Sequence, residues 1–77
     1  MKVHLKLIAS YRDILPPESN GKTTIDVPEG TTAESVLVDF GVPLEETVIL
    51  VDGRTHSPGE TLQEGNVVFA FHATAGG

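Results

Sequence analysis

Only one stretch of this 77-residue chain has the spacing of an amphipathic helix, and that restricts what it can fold into. Ala33, Val36, Leu37 and Phe40 recur at helical intervals, while Glu34, Ser35 and Asp39 fall on the opposite side. Ahead of them, Thr31-Thr32-Ala33-Glu34 fits a capping box, in which a Thr hydroxyl and the Glu carboxylate satisfy free backbone N–H groups. Gly41 is placed to end the helix, and Pro43 prevents its resumption. A lone helix with one apolar stripe has no second helix to pack on. Its partner must be a sheet.

The flanking residues supply the strands. Val3, Leu5 and Leu7 alternate with Lys2, His4 and Lys6, a period of two that predicts a strand over residues 2–9. A wide connection follows, with Pro16-Pro17 inside it and Asn20-Gly21, a pair that tolerates positive φ, at its end. Thr23, Ile25 and Val27 form the second alternation, closed by Pro28 and Gly30. Residues 47–51 are nearly all β-branched or apolar and predict a strand buried on both faces. Asp52-Gly53 then signals a tight hairpin with a short polar return over residues 54–56. Residues 61–65 suit one helical turn, and residues 67–72 form the last strand.

The order is strand, strand, helix, strand, short strand, strand. That defines an α+β chain of the β-grasp (ubiquitin-like) type: a mixed sheet of four to five strands with one main helix packed on one face, and the last strand parallel to the first in mid-sheet. Residues 1–72 form this domain and residues 73–77 a flexible C-terminal Gly-Gly tail. The last strand has no polar face, since Val68 and Ala70 lie on one side and Val67, Phe69 and Phe71 on the other. One helix cannot cover both. One of these sets is therefore expected at the surface beside the tail unless the loop after Pro16 folds over it, and an exposed aromatic patch there marks a partner site.

Composition removes several functions. The five Lys and Arg are spread along the chain against a net charge of −6, which opposes phosphate contacts and hence nucleic-acid binding, and suits a basic protein partner. No run approaches the ~18 apolar residues of a membrane span. The alternating N-terminus is unlike a signal peptide, so the expected location is cytoplasmic. There is no cysteine, hence neither a thiolate nucleophile nor a thiolate metal site. His4, His56 and His72 share no metal-ligand spacing and are expected as exposed strand residues, so no metal is assigned. Asp26, Glu29, Glu34, Glu45, Glu46 and Asp52 fall in loops or on the helix's solvent side, and no pair is placed as an acid/base couple. Gly30, Gly53 and Gly65 are isolated turn glycines, not a phosphate-cradling loop.

The end of the sequence, Ala73-Thr74-Ala75-Gly76-Gly77, cannot extend a core. Its chemical asset is an unhindered carboxylate. A carboxylate has no leaving group, so acyl chemistry on it first needs activation, as by an acyl-adenylate. An enzyme that does this must enclose an extended peptide, where side chains beyond hydrogen obstruct approach to the carbonyl.

A β-grasp chain of this size ending in Ala75-Gly76-Gly77 resembles the MoaD/ThiS sulfur-carrier family, which includes the small subunit of molybdopterin synthase. The likeness extends through Lys6-Leu7 with Tyr11-Arg12, Val27-Pro28-Glu29-Gly30-Thr31-Thr32, Val51-Asp52-Gly53-Arg54 and the run from Leu62 to Val68. The terminal Gly-Gly is its specific part. The resemblance implies that Gly77 is adenylated by an ubiquitin-activating-like enzyme and converted to a thiocarboxylate. It further implies that Gly76 gives clearance while Ala73, Thr74 and Ala75 thread the slot, and that Phe69, Phe71 and His72 meet the partner.

The resemblance implies a cosubstrate, not an independent catalyst, that binds no cofactor, since ATP is used by the activating partner, and that passes sulfur to a synthase large subunit or equivalent. The loop after the first strand and the length resemble the molybdopterin branch, whereas Phe71-His72-Ala73 stands where that branch often has Phe-Pro-Pro. A sulfur carrier for thiamine thiazole or another metabolite, and a ubiquitin-like modifier or interaction module, are the alternatives.

Overall fold

The computed structural model describes residues 1–57 and 59–73. Strand β1 (Lys2–Leu7) stops at Leu7, two residues earlier than its alternation implied, because Ala9 adopts φ 56° and turns the chain. A 3₁₀ helix, Ala9–Ile14, and a short 3₁₀ turn, Pro17–Ser19, fill the wide connection. Asn20 (φ 56°) and Gly21 (φ 77°) then make the expected tight turn into β2 (Lys22–Asp26). Helix α1 (Ala33–Asp39), β3 (Thr47–Val51), β4 (Arg54–Thr55) and β5 (Val67–His72) complete the order.

The five strands form one sheet in the order β2-β1-β5-β3-β4. β5 lies between β1 and β3, parallel to β1 (Leu5 beside Val68) and antiparallel to β3 (Ile49 beside Ala70). The mixed β-grasp sheet expected from the element order is thus present. One face of it is closed by α1: Val3, Leu5 and Leu7 of β1 and Val68 and Ala70 of β5 form a cluster with Ala33, Val36 and Leu37, all nearly inaccessible. Each larger side chain so buried contributes ~1.5–3 kcal/mol before entropy is counted. Tyr11 and Leu15 close the same core at the far end of β5.

Several local expectations are corrected. The helix cap is Thr32, whose Oγ1 accepts the Ser35 N–H at 3.1 Å, and Thr31 instead donates its hydroxyl to Pro28 C=O. Glu34 does not return to the cap and does not face away. It is half-buried and paired with His56. β3 is half-exposed throughout rather than buried on both faces, because among the described residues no element covers the sheet opposite α1. The return strand spans Arg54–Thr55, with His56 just beyond it.

Residues 61–65 form no helical turn: Thr61 bridges to Thr32, and Gly65 (φ 84°) reverses the chain before β5. Asp52 (φ 54°) and Gly53 (φ 82°) make the predicted hairpin. The Asp52 carboxylate then pins the start of β5, accepting Val67 N–H at 2.8 Å and the Asn66 amide at 2.7 Å. Its role is structural.

Candidate functional site: an amphipathic sheet face and the exit of the last strand

The face of the sheet opposite α1 is built by alternation. Because Leu5, Val68 and Ile49 point to the core, their strand neighbours Lys6, Phe69 and Leu50 point away from it. The pairing registers place these residues in one row across all five strands: Lys22, Lys6, Phe69, Leu50 and Thr55. Phe71 lies opposite Val48 in the next row. Ile8 prolongs β1 beside it, donating its N–H to Ala70 C=O at 3.0 Å, and is 41% exposed.

Phe69 and Phe71, expected at the surface, are half-exposed members of this patch. Ile8, Val48 and Leu50 were missed as members, because a β-branched run reads as core when nothing in sequence says which face goes uncovered. The strand period, applied once the sheet side of α1 is known, finds them.

The patch is cationic along one border. Lys6 Nζ stands 5.2 Å from the Phe69 ring centroid, a cation–π contact. Lys6 and Lys22 are directly opposite on β1 and β2. Lys2, on the same face, is paired with Asp26 at 3.1 Å. All the lysines of the chain therefore sit on the strand residues of this face, against one carboxylate. A partner within a Debye length of ~8 Å meets this local charge, not the net −6. The basic partner inferred from net charge does not match this face.

His72 ends β5 on the core side, opposite Thr47. Its Nε2 lies 3.1 Å from Glu46 Oε1, and its ring meets the Tyr11 ring edge-on with centroids 6.1 Å apart. Ala73 donates its N–H to Glu46 C=O at 2.7 Å. The body thus holds the chain through Ala73. The other residues assigned to the site, Thr74, Ala75, Gly76 and Gly77, lie outside the described residues.

The remaining histidines also find places: His4 is exposed on β1 with its Nδ1 2.9 Å from Thr24 Oγ1, whereas His56 is not an exposed strand residue but packs under Glu34. Among the described residues, no three His, Asp or Glu side chains are grouped to hold a metal ion, and no helix is long and apolar enough to cross a membrane.

The architecture defines a ubiquitin-like β-grasp protein. Solved structures with this fold include a Pyrococcus furiosus protein described as molybdopterin converting factor, subunit 1, with a TM-score of 0.72 and 23% identity over 92% of this chain and 95% of that one. SAMP1 from Haloferax volcanii superposes with a TM-score of 0.71 and 17% identity over the whole of both chains. The HVO 2177 protein of Haloferax volcanii gives 0.73 and 22% identity over all of this chain and 87% of that one. These likenesses are of fold. No protein-family model matches the chain, and no curated protein matches it at a significant level.

Proposed function

We propose that this chain is a sulfur carrier whose terminal Gly77 is activated and thiolated by partner enzymes, in the manner expected of a molybdopterin-synthase small subunit. The observation that carries this reading is the adjacency of the half-exposed patch of Phe69, Phe71, Val48 and Leu50 to the exit of β5 at Ala73. A partner grips the patch while processing the residues beyond Ala73. The fold shared with the Pyrococcus furiosus molybdopterin converting factor subunit supports the same assignment.

The chemistry runs in two displacements. A carboxylate oxygen of Gly77 attacks the α-phosphorus of ATP on an ubiquitin-activating-like enzyme, and pyrophosphate leaves. A hydrosulfide-level nucleophile supplied by the partner then attacks the acyl-adenylate carbonyl, expelling AMP and losing its proton, which leaves the thiocarboxylate. Sulfur passes from there to a precursor held by the accepting synthase subunit. The carrier contributes the docking face, the reach and an unhindered carbonyl, and the partner contributes ATP and catalysis. The setting is cytoplasmic.

The second reading, a ubiquitin-like modifier joined through Gly77 to lysine, is favoured by the full-length superposition on SAMP1. Both readings share the adenylate and differ in what attacks it. Incubation with the activating enzyme, ATP and a sulfur donor separates them, a thiocarboxylate supporting the carrier and an isopeptide to lysine the modifier. Deleting Gly77 removes either product without loss of folding. A product formed equally well without Gly77 excludes both.

A further inference from the structure

Glu46 holds the end of β5 twice. Its carbonyl accepts the Ala73 N–H at 2.7 Å, and its carboxylate meets His72 Nε2 at 3.1 Å. On its other flank the imidazole meets Tyr11, with an interplanar angle of 62°. Tyr11 is itself fixed: it is 6% exposed, and Thr47 Oγ1 gives its own proton to Pro43 C=O at 2.6 Å, so the Tyr11 hydroxyl donates to Thr47. The imidazole is bracketed between a buried ring and a carboxylate. These groups come from the Ala9–Ile14 helix, the Leu44–Glu46 turn and the first residue of β3. Three separate segments therefore converge on the last residues of β5.

We propose that Glu46 and His72 form a clasp that sets the root of the reactive tail at Ala73, making both positioning residues for activation at Gly77. The inference rests on the carrier reading. With the root at Ala73, the four residues Thr74 to Gly77 remain to reach the activating site, a span of at most ~14 Å when fully extended. Losing the side-chain contact leaves the Ala73 N–H on Glu46 C=O as the remaining hold of the clasp at this root, so Ala73 opens more readily. The terminal carboxylate then samples a larger volume and meets the α-phosphorus less often in the reactive geometry. Docking through Phe69 and Phe71 is untouched, because they lie on the opposite face of the sheet from His72. His72 itself positions the tail through Glu46 instead of meeting the partner as the resemblance implied. Positioning and docking therefore separate as kcat and KM. The His72–Glu46 pair is partly exposed and adds little to folding stability, so variants remain folded.

The test is ATP–pyrophosphate exchange by the ubiquitin-activating-like enzyme of the same cells, with wild-type carrier and with Glu46→Ala, His72→Ala and His72→Gln. The Ala73 amide exchange rate is followed in parallel. Both alanine variants are expected to lower kcat about three- to tenfold, with KM for the carrier moving less than about twofold. Ala73 exchanges faster in both. His72→Gln, which keeps an N–H donor toward Glu46, retains kcat within about twofold of wild type.

Three results overturn the clasp while leaving the carrier reading in place: an active wild type with unchanged alanine variants, a rise in KM at constant kcat, or an Ala73 exchange rate unaffected by both substitutions. A wild-type chain that the enzyme does not adenylate overturns the carrier reading and the clasp's role with it.

Discussion

His56 Nε2 lies 3.0 Å from Glu34 Oε2, joining the segment after β4 to the first turn of α1. The side chains are only 8% and 27% exposed, and His56 Nδ1 and Glu34 Oε1 are buried without a hydrogen-bond partner among the described residues. Removing one member leaves the other buried and unpaired. Glu34→Ala and His56→Ala are each expected to cost ~1–3 kcal/mol in urea unfolding. The double variant costs clearly less than the sum, because the second change removes a group already orphaned. Strict additivity would show that the contact carries no coupling.

Phe71→Ala separates docking from folding. Phe71 is half-exposed and packs beside Val48 without entering the α1 core, so truncation costs less than the ~3–5 kcal/mol of a buried Phe. Affinity for the activating enzyme is expected to fall tenfold or more, the loss of ~1.4 kcal/mol or greater that marks an aromatic anchor. Calorimetric Tm and titration of the two proteins read the two effects independently. Severe unfolding with unchanged affinity would assign Phe71 to the core instead.

Lys22→Thr is a stabilising change. Lys6 and Lys22 stand directly opposite on neighbouring strands, and like charges so placed repel. Stability is expected to rise by ~0.2–1 kcal/mol at low salt. The gain shrinks as salt approaches the ~1 M range, where the Debye length is ~3 Å. A gain independent of salt would point to strand propensity as its cause.

Two glycines with the same backbone sign differ in what surrounds them. At Gly53 (φ 82°) an added methyl meets nothing within 4 Å, so Gly53→Ala costs only the ~1–2 kcal/mol of a left-handed residue. At Gly21 (φ 77°) the same methyl would lie 2.3 Å from Leu7 O and 2.9 Å from Arg12 Cγ. The first contact is backbone. It also sits where Leu7 N–H bonds Gly21 C=O at 2.7 Å. Gly21→Ala is therefore expected to cost clearly more than Gly53→Ala in paired denaturation curves.

The lone helix, the alternation of β1 and the turns at Asn20-Gly21 and Asp52-Gly53 were legible because each depends on neighbours in sequence. The end of β1, the cap at Thr32 and the exposure of β3 were not. β1 ends where Ala9 turns the chain at φ 56°, which its residue type does not announce, and the other two are settled by partners distant along the chain: Thr61 at Thr32, and the uncovered sheet face at Val48 and Leu50. Glu34 shows the same competition directly. Locally it completes a capping box, yet His56, 22 positions later, takes its carboxylate. At the site, Phe69 and Phe71 could be read from a strand lacking a polar face. The contribution of Lys6, Ile8 and Val48 required the strand order, and the clasp at His72 required the turn that carries Glu46.

The central claim concerns the chemistry at Gly77, and intact-mass spectrometry of the protein purified from its own cells tests it most directly. The carrier account predicts a fraction heavier by one sulfur-for-oxygen exchange, which fragmentation localises to a terminal Gly77. A terminus that stays an ordinary carboxylate while the activating enzyme and sulfur donor are present and active, or a chain that continues past Gly77, contradicts it.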